Sequence, residues 1–129
     1  AQREIIDVLN RIRQPFNLSM AQMGAAEATI RDVDYTRFCA TENARWRDFL
    51  RHGLVQMGVG GDESFANFVL ARFDSPEEAD AADAALKEDG ILVRKVAGYK
   101  LPNCLRITVG DEAACRRILG VLARFKGIR

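Results

Sequence analysis

The sequence predicts an α+β chain in which N-terminal inter-domain helices lead into a small mixed or antiparallel sheet with helices packed on one face. Two observations carry that expectation. The first fifty-odd residues show only helical spacing of apolar side chains, and the remainder alternates strand–helix–strand–strand–helix. A right-handed crossover would join the first two long strands in parallel, leaving room for the third to insert antiparallel between them. The boundary expected from this change of character divides a helical region, 1–53, from an α+β region, 54–129.

The elements follow in order. Ile5, Val8, Leu9 and Ile12 lie at helical spacing, and Pro15 stops that helix. Ser19-Met20-Ala21-Gln22 has the form of a capping box and opens an Ala- and Met-rich helix running to about Ile30. Asp34 can cap a third helix, carrying Tyr35, Phe38, Trp46, Phe49 and Leu50, that is expected to end at Gly53. Leu54 to Met57 reads as a short strand, and Gly58-Val59-Gly60-Gly61-Asp62 as a flexible turn. Phe65 to Phe73 is the first long strand. Ser75-Pro76-Glu77-Glu78 then starts a helix, with a serine cap, a proline in the first turn and acids at the positive end. It closes at Asp89-Gly90. Ile91 to Val96 and Cys104 to Val109 are the remaining strands. Asp111 caps a last helix with the apolar face Cys115, Ile118, Leu119, Leu122 and Phe125.

Composition excludes several classes. Nineteen basic against eighteen acidic residues give a formal charge of +1, with no basic run longer than two, which argues against nucleic acid as partner. No apolar stretch approaches the ~18 residues of a membrane span, and no signal peptide is visible, because the first residues already read as helix. Cys39, Cys104 and Cys115 are odd in number and far apart, so the expectation is buried thiols in a reducing cytoplasm rather than disulfides or zinc. The single His52 reads as a helix terminus beside Gly53. Arg45, Arg47, Arg51 and His52 read as a solvated basic helix end. Gly58-x-Gly60-Gly61 lacks the following helix and the lysine of a phosphate loop. Met20 and Met23 read as packing residues. The first helix has no cap, and the N-terminal helices are more apolar than a free-standing arm should be. Both features suggest a chain cut from something longer.

The most informative stretch is Leu101-Pro102-Asn103-Cys104-Leu105-Arg106-Ile107-Thr108-Val109-Gly110. In strand geometry Leu105, Ile107 and Val109 share one face while Arg106 and Thr108 share the other. An arginine in a short apolar strand needs a partner, and its planar fork suits a carboxylate or phosphate held bidentately. From residue type alone the more ordinary explanation is a structural salt bridge to a neighbouring carboxylate, or exposure on an open sheet face, because strand arginines are usually surface residues.

Gly90-Ile91-Leu92-Val93-Arg94, Gly98-Tyr99, and Leu101-Pro102 with Cys104-Leu105-Arg106-Ile107-Thr108-Val109-Gly110 together resemble the C-terminal signature of histidinol-phosphate aminotransferases. Upstream, Arg13-Gln14-Pro15-Phe16-Asn17-Leu18-Ser19 and Ala66-Asn67-Phe68-Val69-Leu70 resemble family segments in the same order. The resemblance runs over essentially the whole chain. It implies the small domain of a fold-type I, pyridoxal-phosphate-dependent aminotransferase. It further implies that Arg106 grips the substrate α-carboxylate and that the phosphate of histidinol phosphate binds near the same arginine. A two-point clamp on the carboxylate would orient the Cα–H bond for removal. Asn17, where the family's chain passes near the active site, is a supporting candidate.

The same resemblance implies what lies elsewhere. Lys87, Lys95, Lys100 and Lys126 do not sit in the family's serine-rich lysine motif, so the Schiff-base lysine is expected upstream of Ala1. The fragment alone is expected to be inactive, without bound cofactor. The implied reaction is transamination between glutamate/2-oxoglutarate and histidinol phosphate/imidazole-acetol phosphate in histidine biosynthesis, by a cytoplasmic homodimer. Lys95-Val96 replaces the common proline and small residue after Arg94, and the 57–62 turn is richer in glycine than usual. Two rivals remain open: the small domain of an aromatic or threonine-phosphate aminotransferase, and a stand-alone α+β ligand-binding or regulatory domain.

Overall fold

The computed structural model describes residues 2–13 and 16–128. Pro15, the expected stop of the first helix, lies outside them, as does Gln14. The chain forms two compact units, one ending at Phe38 and the other starting at Cys39.

The N-terminal unit holds α1 (Arg3–Ile12), α2 (Met20–Arg31) and the first turns of α3 (Val33–Gln56). The capping box at α2 is complete: Gln22 N–H donates to Ser19 Oγ at 3.3 Å, and Ser19 N–H donates to Gln22 Oε1 at 2.7 Å. Two orphan donors are thereby satisfied reciprocally. The cap of α3 is Asp32 rather than the expected Asp34. Its Oδ1 accepts from Tyr35 N–H at 3.0 Å, and Asp34 already lies inside the helix. No residue of α1 or α2 is buried within the chain.

The second correction concerns the end of α3. The helix runs through Gly53 to Gln56, so Leu54–Met57 is not a strand. Gly53 does not terminate the helix; it permits a close approach, because a Cβ there would lie 2.4 Å from Leu119 Cδ1. The stop comes at Gly58, whose φ of +72° suits glycine. Val59 N–H bonds back to Leu54 O and Gly58 N–H to Val55 O, the double closure of a Schellman motif. His52 is therefore inside the helix, with Nδ1 2.7 Å from Asp48 O.

The C-terminal unit is a four-stranded sheet ordered β1–β2–β4–β3, with β1 Gly60–Gly61, β2 Phe68–Arg72, β3 Arg94–Lys95 and β4 Cys104–Thr108. All neighbours are antiparallel, so β2 and β3 run parallel with β4 inserted between them, as the sequence predicted. The glycine-rich turn is in part an edge strand: Gly60 pairs with Arg72 and Gly61 with Ala71. The strands are shorter than their apolar runs. Phe65–Asn67 is drawn into a turn, where Ser64 Oγ donates to Phe68 O and accepts from Ala66 N–H.

Two helices complete the unit, α4 (Pro76–Glu88) and α5 (Glu112–Phe125). Ser75 Oγ accepts from Glu78 N–H at 3.2 Å and Asp111 Oδ1 from Ala114 N–H at 2.8 Å, so both expected caps form. Val69, Ala71, Leu105 and Ile107 bury one sheet face in a core with Leu50, Leu54, Leu86, Cys115 and Leu122. Each such large side chain contributes ~1.5–3 kcal/mol by leaving water. The other face is only partly covered, with Phe68, Leu70, Arg72 and Arg106 half-buried, Thr108 exposed and Cys104 buried.

Candidate functional site

Alternation along β2 and β4 sends Phe68, Leu70 and Arg72 to this partly covered face, with Cys104, Arg106 and Thr108 beside them. Leu70 stands opposite Arg106, and Arg94 of β3 stands opposite Arg106 on its other side. The face is therefore crossed by a row Leu70–Arg106–Arg94. Over its Leu70–Arg106 part opens a cavity of ≈ 540 Å³, lined by Phe68, Leu70, Val96, Tyr99, Leu101 and Arg106, with Asp62, Glu63 and Ser64.

Arg106 is the one cationic side chain in this lining. Its Cζ lies 5.1 Å from the Phe68 ring centroid, and its Nε is buried with no hydrogen-bond partner. Among the described residues no ion pair holds Arg106. The salt-bridge explanation left open by residue type is thus not found there. The nearby carboxylate Asp62 is taken by Arg72 at 2.6 Å, a bond that raises the Arg72 pKa. A buried donor left unmet costs ~1–3 kcal/mol, which an anion in the cavity would recover. Phe68 lies against the Arg106 guanidinium, whose planar fork suits a carboxylate or phosphate held by two parallel hydrogen bonds.

The lysines are elsewhere. Lys87 Nζ lies 2.7 Å from Asp83, Lys95 2.7 Å from Asp80, and Lys126 2.6 Å from Glu78. Lys100, in a left-handed conformation, is exposed. None of the four lines the cavity. Asn17 is exposed in the N-terminal unit, between α1 and α2. Among the described residues no group of three or more His, Cys, Asp or Glu side chains could hold a metal.

Several expectations require correction. Arg47 and Arg51 are not a solvated helix end: both are half-buried, with buried Nε atoms, and Arg47 Nη1 donates to Ala66 O at 3.3 Å. Their helix continues past them and packs on the loop before β2. Cys104 and Cys115 are buried as expected, but Cys39 is exposed. Sequence reasoning named Arg94 only as part of a signature and did not place it beside Arg106. Strand register supplies that pairing. Phe68 was detectable as the β2 residue alternating with Val69, on the face opposite the core.

The chain belongs to the aminotransferase class I and II family, whose model matches residues 1–122. A histidinol-phosphate aminotransferase of Cereibacter sphaeroides is 56% identical over 127 residues, covering 98% of this chain and 35% of the relative. One from Ruegeria pomeroyi is 55% identical over 129 residues, covering 100% and 36%. The chain thus spans about a third of the length of the curated relatives it matches. Among solved structures, histidinol-phosphate aminotransferase from Sinorhizobium meliloti in complex with pyridoxal-5'-phosphate superposes with a TM-score of 0.79 at 26% identity, over 94% of this chain and 34% of that one. A putative aminotransferase from Burkholderia pseudomallei shares the fold, with a TM-score of 0.77 at 24% identity, over 95% and 37%.

Proposed function

We propose that these residues are the substrate-anion-binding part of a pyridoxal-phosphate-dependent histidinol-phosphate aminotransferase, acting in histidine biosynthesis as a cytoplasmic homodimer. The observation that carries the reading is Arg106: a guanidinium on the partly covered sheet face, seated on Phe68, with a buried Nε that nothing meets. In this reading Arg106 clamps the α-carboxylate of glutamate or 2-oxoglutarate bidentately. The same guanidinium takes the phosphate of histidinol phosphate or imidazole-acetol phosphate in the other half-reaction, and Arg94 stands across the ladder on the same face. Leu70, Val96 and Leu101 give the cavity apolar walls, and excluding water strengthens each charge-assisted bond.

The cavity residues fit the substrate end of such a site and not the cofactor itself, since they include no lysine. In this reading the residues that hold pyridoxal phosphate correspond to the two-thirds of the curated relatives that this chain does not span, and the 129 residues alone would be inactive. When bound, the cofactor supplies the electron sink for loss of the Cα proton. What this chain contributes is orientation: a carboxylate fixed at two points leaves the substrate few ways to present that proton. Asn17 is retained as a supporting candidate on the resemblance alone.

Arg106→Ala in the whole protein tests the proposal. Breaking one side of a buried charge pair costs about 2–5 kcal/mol, which corresponds to a loss of kcat/KM for glutamate of about 30- to 4000-fold. Unchanged kinetics for glutamate would remove Arg106 from the site. If the intact enzyme turned over an aromatic or phosphothreonine-type donor but not histidinol phosphate, the substrate assignment would be wrong and the anion clamp would stand.

A further inference from the structure

Strand β3 is only two residues long, yet it carries Arg94 into register with Arg106. Like charges directly opposite on an antiparallel pair repel. Two ladder positions are a slender hold against that repulsion when no anion lies between the guanidiniums.

Lys95, the other residue of β3, leaves the opposite face, toward α4. Its Nζ lies 2.7 Å from Asp80 Oδ1 and 3.7 Å from Asp83 Oδ2. Asp83 is the one buried charged residue among those described, 3% exposed, and its Oδ2 also receives Lys87 Nζ at 2.7 Å. Its Oδ1 is buried with no hydrogen-bond partner. A buried carboxylate needs its compensating cations close. Asp83 therefore draws the Lys95 ammonium down onto α4, and the β3 backbone with it.

We infer that Lys95, held by Asp80 and Asp83, is a positioning residue that pins β3 to α4 and keeps Arg94 opposite Arg106 before any anion arrives. Lys95 stands on the sheet face away from the cavity and acts only through Arg94. The inference rests on the proposed role of Arg106 and deepens it by dividing the substrates. A phosphate monoester offers three oxygens and can engage both guanidinium forks, whereas a carboxylate is filled by one. Loosening β3 therefore weakens the phosphate substrate and spares the carboxylate one. The closer Lys95 pair, with Asp80, is half-exposed, and buried Asp83 keeps Lys87 at 2.7 Å, so loss of the Lys95 charge changes global stability little.

The test uses the full-length, cofactor-loaded enzyme with histidinol phosphate and glutamate as alternative donors. Lys95→Met keeps the stem and removes the charge. It is expected to raise KM for histidinol phosphate about tenfold, equivalent to about 1.4 kcal/mol. The KM for glutamate, both kcat values and the melting temperature should stay near those of the parent, and Lys95→Arg should restore the phosphate KM. Asp80→Asn, on the exposed side of the cluster, repeats the measurement with Asp83 intact in case Lys95→Met fails to fold. An unchanged phosphate KM in these variants overturns the inference. So does an equal loss for both donors that Lys95→Arg does not rescue. Arg106→Ala runs as a parallel arm: if it leaves both donors unaffected, the anion-site reading falls and the inference with it.

Discussion

Gly110 joins the end of β4 to the Asp111 cap of α5, and a Cβ built there would lie 2.8 Å from the Ala114 Cβ. Ordinary carbon contacts sit at ~3.5–4.0 Å. Neither methyl can rotate away, and Ala114 is further fixed by the 2.8 Å bond from its N–H to Asp111 Oδ1. Gly110→Ala must therefore shift backbone, at an overpacking cost of ~1–3 kcal/mol. Restricting the unfolded chain returns ~0.4–1 kcal/mol. The net expectation is a loss of roughly 0.5–2 kcal/mol. Ala114→Gly removes the opposing methyl and by itself costs up to ~1 kcal/mol of helix propensity. Combined, the two substitutions should be better tolerated than their sum, with a coupling of ~1–3 kcal/mol. Urea unfolding of the chain reads this directly, followed by fluorescence of Trp46, its single tryptophan, which is buried in the C-terminal core. A Gly110→Ala chain with an unchanged urea midpoint, or strict additivity in the cycle, would refute the close-approach argument.

Two further outcomes follow from the ionisable groups. In the native chain a thiol reagent should label Cys39 quickly, and Cys104 and Cys115 only on unfolding, because both are buried and burial pushes their thiols up; fast labelling of a second cysteine contradicts the described core. Lys126 and the Asp74 N–H hold the Glu78 carboxyl below its ordinary value of 4.5. A depressed folded-state pKa contributes stability that is fully present above the unfolded value and is lost as pH falls through the folded one. Urea midpoints should thus decline below pH 4.5, and less steeply in Glu78→Gln. Identical profiles would dismiss the Glu78 contribution.

What the sequence made legible was local. Ser19, Ser75 and Asp111 cap the helices they were read to cap, since a capping side chain needs only its own next three residues. Gly53 misled because a helix-ending glycine and one that admits a neighbouring helix look alike in sequence; Leu119, sixty-six positions on, decides between them. Arg106 was assigned to the face away from Leu105 by alternation alone, and the structure agrees. Its relation to Arg94 was not readable, because register between strands is fixed by pairing in space. The run Ile91–Val96 likewise promised a longer strand. Only Arg94 and Lys95 pair with β4, and the chain then enters a 3₁₀ turn at Ala97–Tyr99.

Both outer strands of the sheet are two residues long, Gly60–Gly61 on one side and Arg94–Lys95 on the other. An exposed edge recruits foreign strands in proportion to the row of free backbone donors and acceptors it displays. Here one border has no side chains to grip a newcomer, and the other carries the charged Arg94, with Lys95 paired to Asp80 and Asp83. The fold thus resists growth by strand addition from either border, which favours dispersed molecules over edge-to-edge aggregates.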